Sequence, residues 1–235
     1  NGLKKSKSET YNTINKIVDG KINADIVING SSKAVVQISP KIIDSILLKN
    51  SYNFGLDGNE FIPQLTQYEL YREYNHKPKM IIQIVGNDFL RQKDELFNYM
   101  RFAPYLNLKG VKEMTIQYKG FSFIDYNIPL VKYSGYFGLV TDGLLSNFGI
   151  NKQLDAKYKG YQEKNLTWND SFDKFKLANP KGFEIHMSEF SKEKFKSYVA
   201  EIRKEKIEFI MVYPPTFAES QDLILNRSDI IDFYE

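Results

Sequence analysis

Two serines stand where a short apolar run breaks. Ala24-Asp-Ile-Val-Ile-Asn-Gly-Ser-Ser32 carries the chain from Ile26–Ile28 through Asn29-Gly30 into Ser31 and Ser32. A hydroxyl held at a strand end beside backbone N–H groups is the arrangement needed to attack an ester carbonyl and stabilise the tetrahedral oxyanion. Two further strand ends have residues suited to the same task. Asn53-Phe-Gly-Leu-Asp-Gly58 offers a glycine N–H at a helix start, from Gly58 or, as a competing choice, Gly55. Gly86-Asn87-Asp88, after the apolar run Met80–Val85, offers the Asn87 side-chain amide. Taken singly, each is ordinary turn sequence. Together, following three consecutive predicted strands in order, they point to a nucleophile at Ser32 and an oxyanion hole formed by Ser32, Gly58 and Asn87. Ser31 is the alternative hydroxyl.

A general base is harder to find. The chain has 2 histidines. His76 lies between a predicted helix and the third strand, at the end of the sheet opposite the serines. His186 precedes the helix leading into the fourth strand, so it falls on the serine side and is the one substitute base in the chain.

The three blocks resemble those of the SGNH (GDSL-type) hydrolases, whose first block is Gly-Asp-Ser with Ser accepted at the middle position. On that pattern Ser31 takes the aspartate position and Ser32 is the nucleophile. The likeness continues through Ile38-Ser-Pro-Lys-Ile-Ile43, Ile128-Pro-Leu-Val-Lys-Tyr133, Lys159-Gly-Tyr161 and Val212-Tyr-Pro-Pro215, and is similar to a group of bacterial envelope SGNH-like proteins. It implies a serine esterase acting on an acylated small molecule or carbohydrate, for instance by deacetylation, with no cofactor and no metal. A polysaccharide O-acyltransferase, or an SGNH-fold binding or scaffold protein without catalysis, are the alternatives. It further implies an extracytoplasmic setting, with membrane contact only through a segment preceding this sequence. The family's last block, Asp-x-x-His, has no match here; the expectation is that it lies beyond Glu235, because the final helix is read as still open at that residue.

The elements that must position these residues follow from periodicity and breakers. Residues 8–20 read as an amphipathic lead-in helix with Tyr11, Ile14 and Ile17 on one face. Strands are expected near 25–28, 52–54, 80–85 and 207–212. Ser39-Pro40 reads as a helix start carrying Ile42, Ile43, Ile46 and Leu47, and Phe61, Leu65 and Tyr68 mark the next helix. Residues 91–180 read as a largely helical insertion on the catalytic face. Helical segments are expected around 94–106 and 130–148, and most of the aromatics (Tyr99, Phe102, Tyr105, Phe121, Phe123, Tyr126, Tyr133, Tyr136, Tyr161, Trp168) are expected to form its own small core. A charged amphipathic helix over 191–206 turns Phe195, Tyr198, Val199 and Ile202 inward, and a helix opens around Ser228-Asp229. The fold class is α/β: a three-layer α/β/α domain over 1–235 with a mostly parallel sheet, one sheet edge and one helix face left uncovered.

Composition narrows the function classes. A length of 235 residues suits one sizeable domain. With 32 Lys and Arg against 29 Asp and Glu, interspersed, no basic stripe for nucleic acid emerges; Lys4-Lys5-Ser6-Lys7 is the one local basic cluster. With 0 cysteines there is no disulfide, thiolate nucleophile or zinc–sulfur site. No apolar run approaches a membrane span, and neither a P-loop nor a complete dinucleotide fingerprint is present.

Overall fold

Ile26, Val27 and Ile28 are β-branched and apolar without a polar alternation, the signature of a strand buried on both faces. In the computed structural model, which describes residues 2–151, 154–165 and 167–235, they open β1 (Ile26–Asn29), and every residue of that strand is buried. The other strands are β2 (Ser51–Asn53), β3 (Met80–Ile84) and β4 (Glu208–Val212). All pair in parallel, in the order β2-β1-β3-β4, with Ile26 opposite both Ser51 and Met80, and Met80 opposite Glu208. Every strand C-terminus therefore lies at the same edge of the sheet.

The helices are α1 (Asn12–Val18), α2 (Ser32–Gln37), α3 (Pro40–Leu47), α4 (Phe61–Tyr74), α5 (Lys109–Thr115), α6 (Phe123–Asn127), α7 (Phe137–Asn147), α8 (Ser171–Ala178), α9 (Glu189–Lys204), α10 (Ala218–Asp222) and α11 (Arg227–Tyr234). Alternate strand residues face two cores, giving three layers α/β/α. Val27 and Ile81 join the larger core with Ile17 of α1, Tyr68 and Tyr71 of α4, and Phe195, Tyr198 and Ile202 of α9. Ile28 and Ile84 join a smaller one with Ala34 of α2, against which Ile38 and Ile43 pack. Two polar residues point from the sheet into the larger core, and both are paired: Asn29 Nδ2 donates to Tyr198 Oη at 3.3 Å, and Gln83 Nε2 to Gln64 Oε1 at 3.2 Å.

Several local expectations are corrected. The lead-in helix is shorter, and a six-residue helix, α2, begins at Ser32 itself; six residues are too few to show a helical period. Of the four apolar residues expected to face inward from α3, only Ile43 packs against a core, while Ile42, Ile46 and Leu47 are exposed, and Ser39 makes no side-chain capping bond. The segment expected to be helical from 94 is a 3-10 helix over Tyr99–Tyr105 that follows a left-handed Asn98 and contains Pro104, whose missing N–H disfavours a longer α-helix. The aromatics of the insertion do not build a separate core. Phe102 and Tyr105, with Met114 of α5, belong to the main one, and Tyr99, Phe121, Tyr126 and Tyr133 pack against it. Phe123 and Trp168 are exposed.

Candidate active site at the carboxyl edge of the sheet

The strand order reverses at β1. The chain leaves β1 for β2 on one side, then returns past it to β3 on the other, so the crevice between the C-termini of β1 and β3 is a topological switch point, where open α/β sheets place ligands. The first expected block follows β1 and the third follows β3, and they flank this crevice. Gly30 makes the turn out of β1. A Cβ there would fall 2.7 Å from Ala34 Cβ and 2.8 Å from Ile84 Cβ, so the close approach of strand, helix and neighbouring strand requires glycine. Ser31 and Ser32 follow, half-buried, and neither hydroxyl has a hydrogen-bond partner among the described residues.

Asn87 is buried, and its Oδ1 accepts a 2.6 Å hydrogen bond from Tyr213 Oη. That bond uses the acceptor end of the amide and leaves the Nδ2 donors uncommitted. Gly58 is held in the left-handed region at φ +70, and a Cβ there would collide with the Phe97 ring. Its N–H takes part in no hydrogen bond among the described residues, whereas the competing Gly55 N–H is already spent on Asn53 Oδ1 at 2.8 Å. The loop bearing both glycines is tied to the end of β1 by Leu56 N–H donating to the Gly30 carbonyl at 2.8 Å. Lys93 Nζ donates to the Gly58 carbonyl at 3.3 Å and pairs with the buried Glu60 carboxylate. Burial pushes that carboxyl up, and Lys93 opposes the shift.

Topology thus brings Ser32, Gly58 and Asn87 to one sheet edge, with Ser32 and Asn87 on the two sides of the switch point. His186 is exposed. Its carbonyl accepts from Gln92 N–H at 3.1 Å, which places its backbone beside the segment following β3, and its imidazole makes no hydrogen bond to Ser32. His76, exposed, donates through its N–H to Asn23 Oδ1 at the other edge.

Four residues at this edge escaped the sequence reading. Lys33, next to Ser32, sends its ammonium across the crevice, where Nζ lies 2.9 Å from the position a Gly86 Cβ would occupy and 5.8 Å from the centre of the Tyr213 ring. Tyr213 directly follows β4. The Arg227 guanidinium also lies 5.8 Å from the centre of that ring, and Tyr234 Oη donates to the Gly86 carbonyl at 3.0 Å. The one signal available for Lys33 and Tyr213 is their position, directly after Ser32 and directly after β4; nothing local marks Arg227 or Tyr234, which α11 brings to this edge. Compared with protein-family models, with curated proteins and with solved structures, the chain matches none of them.

Proposed function

We propose that the protein is an SGNH-like serine esterase that cleaves an acyl ester, with a carbohydrate ester as substrate. The observation supporting this reading is the pairing of Gly30-Ser31-Ser32 with Gly86-Asn87-Asp88 across the β1/β3 switch point. In the reaction, Ser32 Oγ adds to the ester carbonyl and the alcohol leaves with a proton. Water then releases the acid from the acyl-serine. The oxyanion of each tetrahedral intermediate is held by the Ser32 N–H, the Gly58 N–H and Asn87 Nδ2. A histidine takes the serine proton in this scheme. The resemblance assigns it to the Asp-x-x-His block, which has no counterpart in this sequence, and His186 is the substitute.

The test is hydrolysis of p-nitrophenyl acetate and an acetylated sugar by the natural protein, with fluorophosphonate labelling read by mass spectrometry. The expected result is a label on Ser32 and loss of turnover in Ser32→Ala. Equal turnover in wild type and Ser32→Ala, or a label elsewhere, rejects the assignment. His186→Ala separates the two base assignments: a large loss of rate makes His186 the base. One observation favours a second reading, a non-catalytic binding domain: the Ser32 hydroxyl has no hydrogen-bonded base among the described residues. That reading predicts saturable binding of the carbohydrate with neither label nor turnover. Turnover that rises when acceptor sugars are added would instead identify an acyltransferase using the same serine.

A further inference from the structure

Two cations at the carboxyl edge have no ion-pair partner among the described residues. Lys33 Nζ and the Arg227 guanidinium lie over the one Tyr213 ring, each 5.8 Å from its centre, and neither forms a salt bridge among the described residues. Arg227 Nε, at the start of α11, is buried with no hydrogen-bond partner among the described residues. Donors left in this condition are costly in a native fold. Burial pushes the Lys33 ammonium down, and the exposed Asp88 carboxylate opposes the shift. An anion within reach of both would meet the unpaired charges and the buried Arg227 donor with charge-assisted hydrogen bonds. The same Tyr213 that collects the two cations donates its hydroxyl to Asn87, so this cationic place adjoins the proposed oxyanion hole.

We propose that the β1/β3 crevice holds a substrate bearing an oxyanion group, a carboxylate or a phosphate, next to the ester, gripped by Lys33 and Arg227. The placement beside an ester rests on the serine-esterase reading; the anion site itself does not. It makes the substrate an acylated acidic saccharide or an acylated sugar phosphate.

Two measurements test this and separate it from the esterase reading. In the first, kcat/KM of the natural protein is compared for an O-acetylated methyl glucuronide, the matching methyl glucoside and an O-acetylated glucose phosphate. The expected result is a preference of about 10-fold or more for an anionic ester, collapsing toward unity in Lys33→Met and Arg227→Met and restored in Lys33→Arg. Equal rates for charged and neutral esters, or a preference surviving both methionine variants, overturns the proposal. In the second, glucuronate and inorganic phosphate, which carry no ester, are titrated into the protein and followed by NMR. Saturable binding that weakens about 10-fold in either methionine variant and falls with added salt supports the site, and the tighter of the two ligands identifies the anion. No binding of either overturns it. If no ester is turned over at all, the esterase reading fails and this titration alone decides the anion site.

Discussion

Asn87 is useful to an oxyanion only if its amide presents nitrogen, and Tyr213 sets that orientation by donating to Oδ1. Under the esterase reading, Asn87→Ala is expected to lower kcat by about 10²–10³, the loss seen when one oxyanion donor is removed. Tyr213→Phe keeps the aromatic ring near Lys33 and Arg227 and removes only the hydroxyl, so its expected loss is smaller, about 10-fold. Steady-state kinetics on one neutral ester checks the order; a Tyr213→Phe loss exceeding that of Asn87→Ala would mean that the tyrosine acts directly. Gly30 shows the same economy of space. Its Cβ would meet two other Cβ atoms, Ala34 and Ile84, inside 3 Å, and neither can swing away as a long side chain would. Gly30→Ala is therefore expected to destabilise the fold by about 1–3 kcal/mol, read from urea unfolding. A variant as stable as wild type would show that the turn relaxes freely.

At the element scale, α3 is fastened by charge more than by its apolar residues. Ile42, Ile46 and Leu47 face outward, while Asp44 accepts from Lys159 Nζ at 2.6 Å, Ser51 Oγ at 2.5 Å and Ser51 N–H at 2.7 Å. The insertion takes part in this joint. Lys159 also receives, through its carbonyl, the Asn53 N–H at 2.9 Å, which covers the outer edge of β2. Burial pushes the Asp44 carboxyl up, but the bonds from Lys159 and Ser51 outweigh it and hold the group below the usual aspartate value. A carboxyl lowered by folding stabilises the protein fully above the unfolded value of about 3.9, and the contribution disappears as pH falls through the lower folded value. Asp44→Asn is expected to cost about 1–3 kcal/mol at pH 7. The gap in urea midpoint between wild type and variant should close in strong acid; a gap independent of pH would show that packing, not charge, holds α3.

For the whole molecule, stability is expected to be graded outward from the β1–β3 pair. Ile26, Val27, Ile28 and Ile81 are wholly enclosed, whereas α6 and α8 bury no residue and α7 only Ser146. Segments with few buried apolar contacts open first. Hydrogen exchange should find the slowest amides in β1 and β3, and early exchange over 123–147 and 171–178; equal protection of α7 and β1 would contradict this grading. β4 is the last strand of the order, and beside it α9 and α11 border a groove of about 630 Å³ lined by Phe195, Val199, Phe209, Met211 and Phe233.

How far the sequence reaches depends on the distance over which the determining interactions act. The four strands, α4, α9 and the order of the three glycine-bearing turns were legible because apolar runs, Ser-Pro and Gly-Asn breaks and helical spacing are local signals. In an all-parallel sheet those signals suffice to place Ser32, Gly58 and Asn87 at one edge. Side-chain burial in short or irregular segments was not legible. α2 has too few residues to show a period, the apolar face of α3 meets no partner that its own sequence could reveal, and Phe102 and Tyr105 join the main core because the chain folds back on it. The composition of the edge was decided by tertiary structure alone. Tyr213 meets Asn87 across 126 positions of sequence, and Arg227 and Lys33 share a ring because β4 and α11 return to the switch point. Local patterns fix where the backbone turns, whereas the charge and donors surrounding the serine come from segments that only the packed fold brings together.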